Sequence, residues 1–224
     1  MPVTRPAGDT GGADPAVTAA LAAYAAGAAT EHAVLTAVAA SRLLVPVVAV
    51  LAEANADGTV PPALASERVD SRSEKETDMA LPTLIGNDGR TAVIACTGTD
   101  TVRRWRADAR PVPVPAARLW PAVAAEQADA VVIDVAGPVP LVIEGARLRA
   151  LASGAPPPLP HEDPDIRAEV AAVTPDFTLE PGGQDAELTI TLKTQDLAAA
   201  RTAAGAIAAR LAPRLRRGIA VRVS

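Results

Sequence analysis

Aromatic side chains are scarce in this chain of 224 residues, at 2% of the sequence, and so are the residues from which many catalytic and metal sites are built. There is one cysteine, Cys96, and there are two histidines, His32 and His161. A single cysteine excludes an internal disulfide and a thiolate metal cluster, and two histidines so far apart do not form a zinc-binding pattern. We therefore expect no metal and no cofactor, and we assign no residue a catalytic role.

Positive charge is also in short supply, since 21 basic residues against 26 acidic ones give a formal net charge of −5. A protein without an overall positive field does not collect nucleic-acid phosphates or anionic lipid. No run of about 18 strongly apolar residues occurs, so a membrane span is not expected. We expect neither nucleic acid nor a membrane as a partner, and we expect a cytoplasmic location, which a single cysteine also suits.

What the chain does contain is typical of a folded protein, with 49% hydrophobic and 21% charged residues. Gly and Pro clusters and shifts in hydrophobic pattern divide it into segments. They predict a flexible tail at 1–13, an α/β domain at 14–152 with a mobile loop at 51–78, a proline-rich linker at 153–164 and a C-terminal domain at 165–224.

Helical and strand patterns alternate within the larger domain. Helices are predicted from residues 14 and 30, and the run "LLVPVVAV" at 43–50 predicts a buried strand. Further strands and helices follow in the same alternation, which indicates a mixed sheet flanked by helices. In the C-terminal domain we predict strands at 166–173 and 186–193, a helix at 195–212 and a last strand near 219–223, which make a small two-layer ββαβ unit.

The segment 81–105, "LPTLIGNDGRTAVIACTGTDTVRRW", combines glycines, Cys96 and arginines in the way that an active site might. Its glycines lack both the G-x-G-x-x-G spacing and the lysine of a phosphate-binding loop. Asn87, Asp88 and Gly89 instead have turn chemistry, which favours a hairpin leading into a helix capped by Asp100, with Trp105 in the core. Cys96 is interpreted as a small buried side chain, because Asp100 is the wrong charge to stabilise a thiolate.

Two other sets of residues have a functional interpretation. Asp134 and Glu144 follow predicted strands, and with Thr97 nearby such carboxylates could act as an acid and base pair. Two clusters of arginines could bind an anion or an acidic partner. The first cluster surrounds Trp105 and consists of Arg103, Arg104, Arg106 and Arg110, and the second crowds the end of the last helix at Arg210, Arg214, Arg216 and Arg217.

The middle of the chain resembles the N-terminal domain of the SseB family, named for enhanced serine sensitivity, as it occurs in actinobacteria. The resemblance rests on "LLVPVV" at 43–48, the segment 74–116 and "ADAVVIDVAGPVPLVIEG" at 128–145. It implies a cytoplasmic mixed α/β domain with no established catalytic residues to carry over. Where relatives carry a fuller "aFTS" phrase this sequence has "ACTGT", which argues against a shared role for Cys96.

Three functional hypotheses remain open at this point. The first is a non-catalytic binding or regulatory module that recognises a protein or a small-molecule ligand, with Arg103, Arg104, Trp105, Arg106 and Arg110 as its contact residues. The second is a small-molecule metabolic enzyme with a carboxylate site near Asp134 and Glu144. The third is a structural homodimer in which edge strands such as 111–115 pair across an axis.

Overall fold

The computed structural model describes residues 11–48, 83–86 and 88–224. Its α-helices in these ranges are α1 Pro15–Ala25, α2 Glu31–Ala39, α3 Thr99–Trp105, α4 Ala116–Ala125, α5 Gly145–Ala152, α6 Pro164–Ala171 and α7 Leu197–Leu211. Its β-strands are β1 Arg42–Val47, β2 Thr83–Ile85, β3 Thr91–Ala95, β4 Arg110–Pro115, β5 Ala130–Ile133, β6 Leu141–Glu144, β7 Phe177–Pro181, β8 Leu188–Leu192 and β9 Ile219–Val223. The predicted loop at 51–78 and residues 1–10 of the predicted tail lie outside the described residues.

The chain forms two compact units, and each is assembled from two separate parts of the sequence. Within the described ranges, the first unit holds residues 11–14 and 40–144, and the second holds residues 15–39 and 145–224. The sequence predicted a linear division at 14–152 and 165–224 instead. That linear division stays a prediction.

A mixed four-stranded sheet with the order β2-β3-β5-β6 lies at the centre of the first unit. β3 and β5 are parallel, whereas β2 and β6 run antiparallel to their neighbours. A second ladder pairs β1 with β4, and Leu44 of β1 exchanges two backbone hydrogen bonds with Cys96 just beyond β3. The helix α4 buries Leu119, Trp120 and Val123, as its periodicity predicts. The predicted mixed sheet with flanking helices is therefore confirmed.

The segment that begins at β2 and ends at Trp105 is a hairpin followed by a helix, as the sequence predicts. Gly89 has a φ of +80°, and the Gly86 N–H donates to the Arg90 carbonyl at 2.8 Å to close the turn. Two details were wrong. α3 is capped by Gly98 rather than by Asp100, and it ends at Trp105, which is only half-buried. The helix stops there because the following segment "RPVPVP" contains prolines, which favour extended backbone.

The second unit contains a three-stranded sheet with the order β7-β8-β9, in which β7 is antiparallel and β9 parallel to β8. The chain order β7-β8-α7-β9 is the predicted ββαβ arrangement. Leu188, Ile190 and Leu192 cover one face and pack in a core with residues of α6 and α7. The polar positions of this segment are not all exposed, because Thr189 and the preceding Glu187 are buried as well.

The segment 166–173 is helical, so its prediction as the first strand of this unit was wrong. It lies in α6 and the turn that follows, and the first strand is β7. The Asp163 carboxylate accepts hydrogen bonds from the backbone N–H groups of Asp165 and Ile166, and Pro164 occupies the first helical position. This is the Asp-Pro start that favours a helix, and Ile166 and Val170 lie one turn apart on its buried face.

Candidate functional site

A buried carboxylate lies at the carboxyl edge of the parallel strands β3 and β5, where α/β proteins often bind ligands. Asp134 is 4% exposed and follows β5 directly. Its two carboxylate oxygens accept hydrogen bonds from the Thr97 backbone N–H at 2.8 Å and the Thr97 hydroxyl at 2.7 Å. The predicted proximity of Thr97 and Asp134 is thus present, but the carboxylate is directed into the protein and holds the turn after β3.

Glu144 lies at the other end of β5. It pairs in register with Ala130, the first residue of that strand, whereas Asp134 comes after the last. The two carboxylates are therefore separated by four strand positions along β5, and each position adds about 3.3 Å to the distance between them. Glu144 instead forms an ion pair with Arg90 at 2.7 Å, with both side chains substantially exposed. The structure therefore does not bring Asp134 and Glu144 together as an acid and base pair.

Cys96 is completely buried. Burial raises the pKa of its thiol to about 11, and the negative charge of Asp134 adds to the effect, while a hydrogen bond with Thr101 opposes it. A thiol with such a pKa is almost entirely protonated near neutral pH, and the thiolate is the nucleophilic form. Cys96 packs with Leu44 and Ile94 as a core side chain, in keeping with its interpretation from the sequence.

The two histidines both belong to the second unit but occupy separate elements. His32 lies in α2, and its Nδ1 is buried with no hydrogen-bond partner in the described structure. His161 lies in the segment before α6, with its Nε2 3.8 Å from a Glu162 carboxylate oxygen. Across residues 11–48, 83–86 and 88–224, no three His, Cys, Asp or Glu side chains are placed to hold a metal ion.

The arginines at the end of α7 have intramolecular roles. Arg210 pairs with Glu169 at 2.8 Å, and Arg216 lies over the ring of Tyr24 with its guanidinium carbon 5.8 Å from the ring centroid. The Arg217 guanidinium donates to the Gln184 carbonyl, and the fourth, Arg214, is largely buried in an ion-pair network. These four charges are therefore used within the second unit.

The buried network around Arg214 was not found from the sequence. The Glu31 carboxylate accepts from Arg147 and, at 3.0 Å, from Arg214, which also pairs with Asp163. Burial lowers the pKa of Arg214, but the two carboxylates outweigh it and raise that pKa above its ordinary value. A signal was present, because Glu31 precedes Val34 and Val38 at helical spacing and so lies on the buried face of α2.

The first arginine cluster is arranged differently, and we call it the α3–β4 surface. It consists of Arg103, Arg104, Trp105, Arg106 and Arg110. The Arg103 side chain is 70% exposed, and its acidic neighbour among the described residues is the still more exposed Asp100 at 3.9 Å. Arg104 and Arg110 are exposed as well, and Arg106 lies 3.1 Å from Asp108. Exposed ion pairs of this kind contribute little to stability, about 0–1 kcal/mol.

Trp105 anchors the α3–β4 surface to the protein interior. It is half-buried and packs against a cluster that includes Leu44, Ile94 and Val102. The Ala109 N–H donates to the Arg106 carbonyl at 3.3 Å, which closes the turn between α3 and β4. Trp and Arg are the residue types most enriched among the energetically dominant residues of protein interfaces. The surface therefore has the composition of a contact site on a fixed scaffold.

The outer edge of β4 is poorly suited to strand pairing between two copies. Leu44 directs its backbone N–H and C=O to Cys96, away from β4, so its register partner Pro113 lies at a position that faces away from β1. Pro111 and Pro115 share that outer edge because they are two residues away on either side. None of the three prolines has an N–H to donate. Pairing through 111–115 is thus disfavoured, and a homodimer by another surface stays a prediction.

Fold and site together describe a mixed α/β protein in which the two predicted carboxylates, Asp134 and Glu144, lie at opposite ends of β5. The chain matches the family model described as SseB protein N-terminal domain over residues 17–150, and it belongs to the SseB family. This confirms the resemblance seen in the sequence. Comparison with curated proteins and with solved structures gave no match. Among the described helices, none combines the length and apolar character needed to cross a membrane.

Proposed function

We propose that this SseB-family protein is a non-catalytic cytoplasmic binding or regulatory module, and that its α3–β4 surface recognises an acidic segment of another protein. One observation carries the proposal. The charges of Arg103, Arg104 and Arg110 are exposed to solvent, whereas each arginine at the end of α7 has an intramolecular partner.

The chemistry of the surface indicates the kind of partner. Carboxylates of an acidic segment would replace the weak pairing of Arg103 with Asp100, and an apolar side chain beside them would cover the exposed part of Trp105. Opposite charges across an interface increase the rate of association and select the correct partner, while a buried aromatic side chain contributes affinity. An anionic small molecule would be held by the same guanidinium groups, and the experiment below separates the two ligands.

A pull-down of the tagged full chain from its native cytoplasm tests the proposal. The variant R103E/R104E reverses two charges on the α3–β4 surface. The matched control R201E/R222E makes the same change in net charge at two exposed arginines of α7 and β9. We expect one protein to be captured by the wild type and by the control but not by R103E/R104E, and to bind directly when both proteins are purified.

Capture of the same proteins by all three chains would refute the proposal, as would equal losses in both variants. Wild-type-specific enrichment of an anionic metabolite with no accompanying protein would favour the small-molecule ligand instead. The enzyme hypothesis is less favoured, because Asp134 and Glu144 lie at opposite ends of β5.

A further inference from the structure

We propose that residues 11–13 are a displaceable strap that covers the carboxyl edge of β3 and β5. The Gly11 carbonyl accepts hydrogen bonds from the backbone N–H and the hydroxyl of Thr99, both at 2.9 Å. The Gly12 carbonyl accepts from the Arg42 guanidinium at 2.8 Å, and the same guanidinium donates to the Thr97 carbonyl at 3.1 Å. The strap is thereby fixed to the turn between β3 and α3, beside the buried Thr97 and Asp134 pair.

The strap is held through its main chain. Its residues are Gly11, Gly12 and Ala13, so it has no large apolar side chain with which to anchor itself. β3, in contrast, is bonded on both sides in a sheet and buries Val93, Ile94 and Ala95. A segment that depends on a few hydrogen bonds opens at a much lower free energy than a core strand. The strap can therefore leave while the sheet remains intact.

Gly98 is the feature that fits the strap to the edge. A Cβ added at Gly98 would lie 2.9 Å from the Ala13 backbone nitrogen and 3.3 Å from the Ala13 Cβ. The backbone of Gly98 is extended, with φ of −150° and ψ of 168°, which any residue adopts without strain. The close approach of Ala13 therefore favours glycine at this position, and an alanine here acts as a wedge under the strap.

Opening the strap changes what the carboxyl edge of the sheet presents to solvent. In the closed form, the Thr99 donors and the Arg42 guanidinium are occupied by carbonyls of the chain's own residues 11 and 12. In the open form the Thr99 donors and the Arg42 guanidinium are released from the strap carbonyls, next to the turn that Thr97 and Asp134 hold. The edge therefore exists in a covered and an uncovered state, and this inference does not depend on the α3–β4 surface binding a partner.

Residue-resolved amide hydrogen exchange on the full chain tests the strap. In G98A we expect the Thr99 amide, which donates to Gly11, to exchange about tenfold faster than in the wild type, as for loss of one or two hydrogen bonds. The Cys96 amide, bonded to Leu44 in the sheet, should keep its wild-type rate. The control G205A places its Cβ in open space and should change neither rate.

Two results would overturn the proposal. If the Thr99 amide of G98A exchanges at the wild-type rate, the strap is not displaced by the wedge. If the Cys96 amide accelerates by the same factor as Thr99, residues 11–13 are an inseparable part of the core.

A second pair of variants tests the hydroxyl contact without any added bulk. T99A removes the hydroxyl that donates to Gly11, and T99S keeps it. We expect exchange of the backbone amide at position 99 to be about fivefold faster in the first variant and close to wild type in the second. Equal rates in T99A and T99S would show that this hydroxyl does not hold the strap, against the proposal.

Discussion

Replacement of Asp134 by alanine tests whether this buried carboxylate stabilises the turn after β3 or serves a reaction. The substitution removes two hydrogen bonds with Thr97, each made to a charged group and worth about 1.5–3 kcal/mol. Asp134 also has a φ of +51°, where alanine is disfavoured by about 1–2 kcal/mol. The two bonds share one carboxylate and are not independent, so we take the lower end of these ranges and expect the free energy of unfolding of the first unit to fall by about 4 kcal/mol.

Asn in place of Asp134 provides a matched comparison. Asparagine tolerates positive φ, and its amide oxygen can still accept from the Thr97 N–H, so we expect a loss of only about 1–2 kcal/mol. Both tryptophans, Trp105 and Trp120, lie in the first unit, and urea unfolding followed by tryptophan fluorescence therefore reports on this unit. A folded D134A protein that loses less than about 1 kcal/mol would refute the structural role.

Two further predictions concern buried titratable groups. Cys96, with a pKa of about 11, should resist a thiol reagent at pH 7 in the folded protein and react completely once unfolded; rapid stoichiometric labelling of the native chain would contradict this. Burial raises the pKa of Glu187, whose Oε2 has no hydrogen-bond partner in the described structure, although the Arg217 N–H opposes the shift. The folded state then binds this proton more tightly than the unfolded chain, so stability falls as pH rises from 4.5, its ordinary value, through the higher folded pKa. E187Q removes the titrating group and should therefore remove this pH dependence of stability. By calorimetry we expect E187Q to be at least as stable as the wild type at pH 7. A greater destabilisation by E187Q at pH 7 than at pH 4 would contradict the direction of the pKa shift.

Much of the fold could be predicted because local patterns and tertiary packing agree. The hairpin of β2 and β3 follows from turn chemistry at Asp88 and Gly89, and α4 follows from its apolar spacing. The helix α6 was missed although the start at Asp163 and Pro164 was visible, because the apolar residues at 166, 170 and 173 were interpreted as a strand. The helices α1 and α2 belong to the same compact unit as the C-terminal segments, and no local sequence pattern encodes such a long-range arrangement.

The candidate site was predicted only in part. Arg103, Arg104 and Arg110 are exposed, and their role in a contact surface stays a prediction. The arginines of α7 have partners on distant elements that sequence spacing cannot reveal. Asp134 and Glu144 both end strands, but the antiparallel register of β5 and β6 separates them. Residues 11–13 contain only glycine and alanine, so no side-chain pattern indicates that their carbonyls bond Thr99 and Arg42.

The proposed binding of an acidic partner by the α3–β4 surface is tested most directly by the affinity of the captured partner for the purified variants. We predict that R103E/R104E raises Kd by at least about tenfold and that R201E/R222E changes it by less than about twofold, with the difference diminishing at high salt. Equal affinity for the two variants would contradict the account.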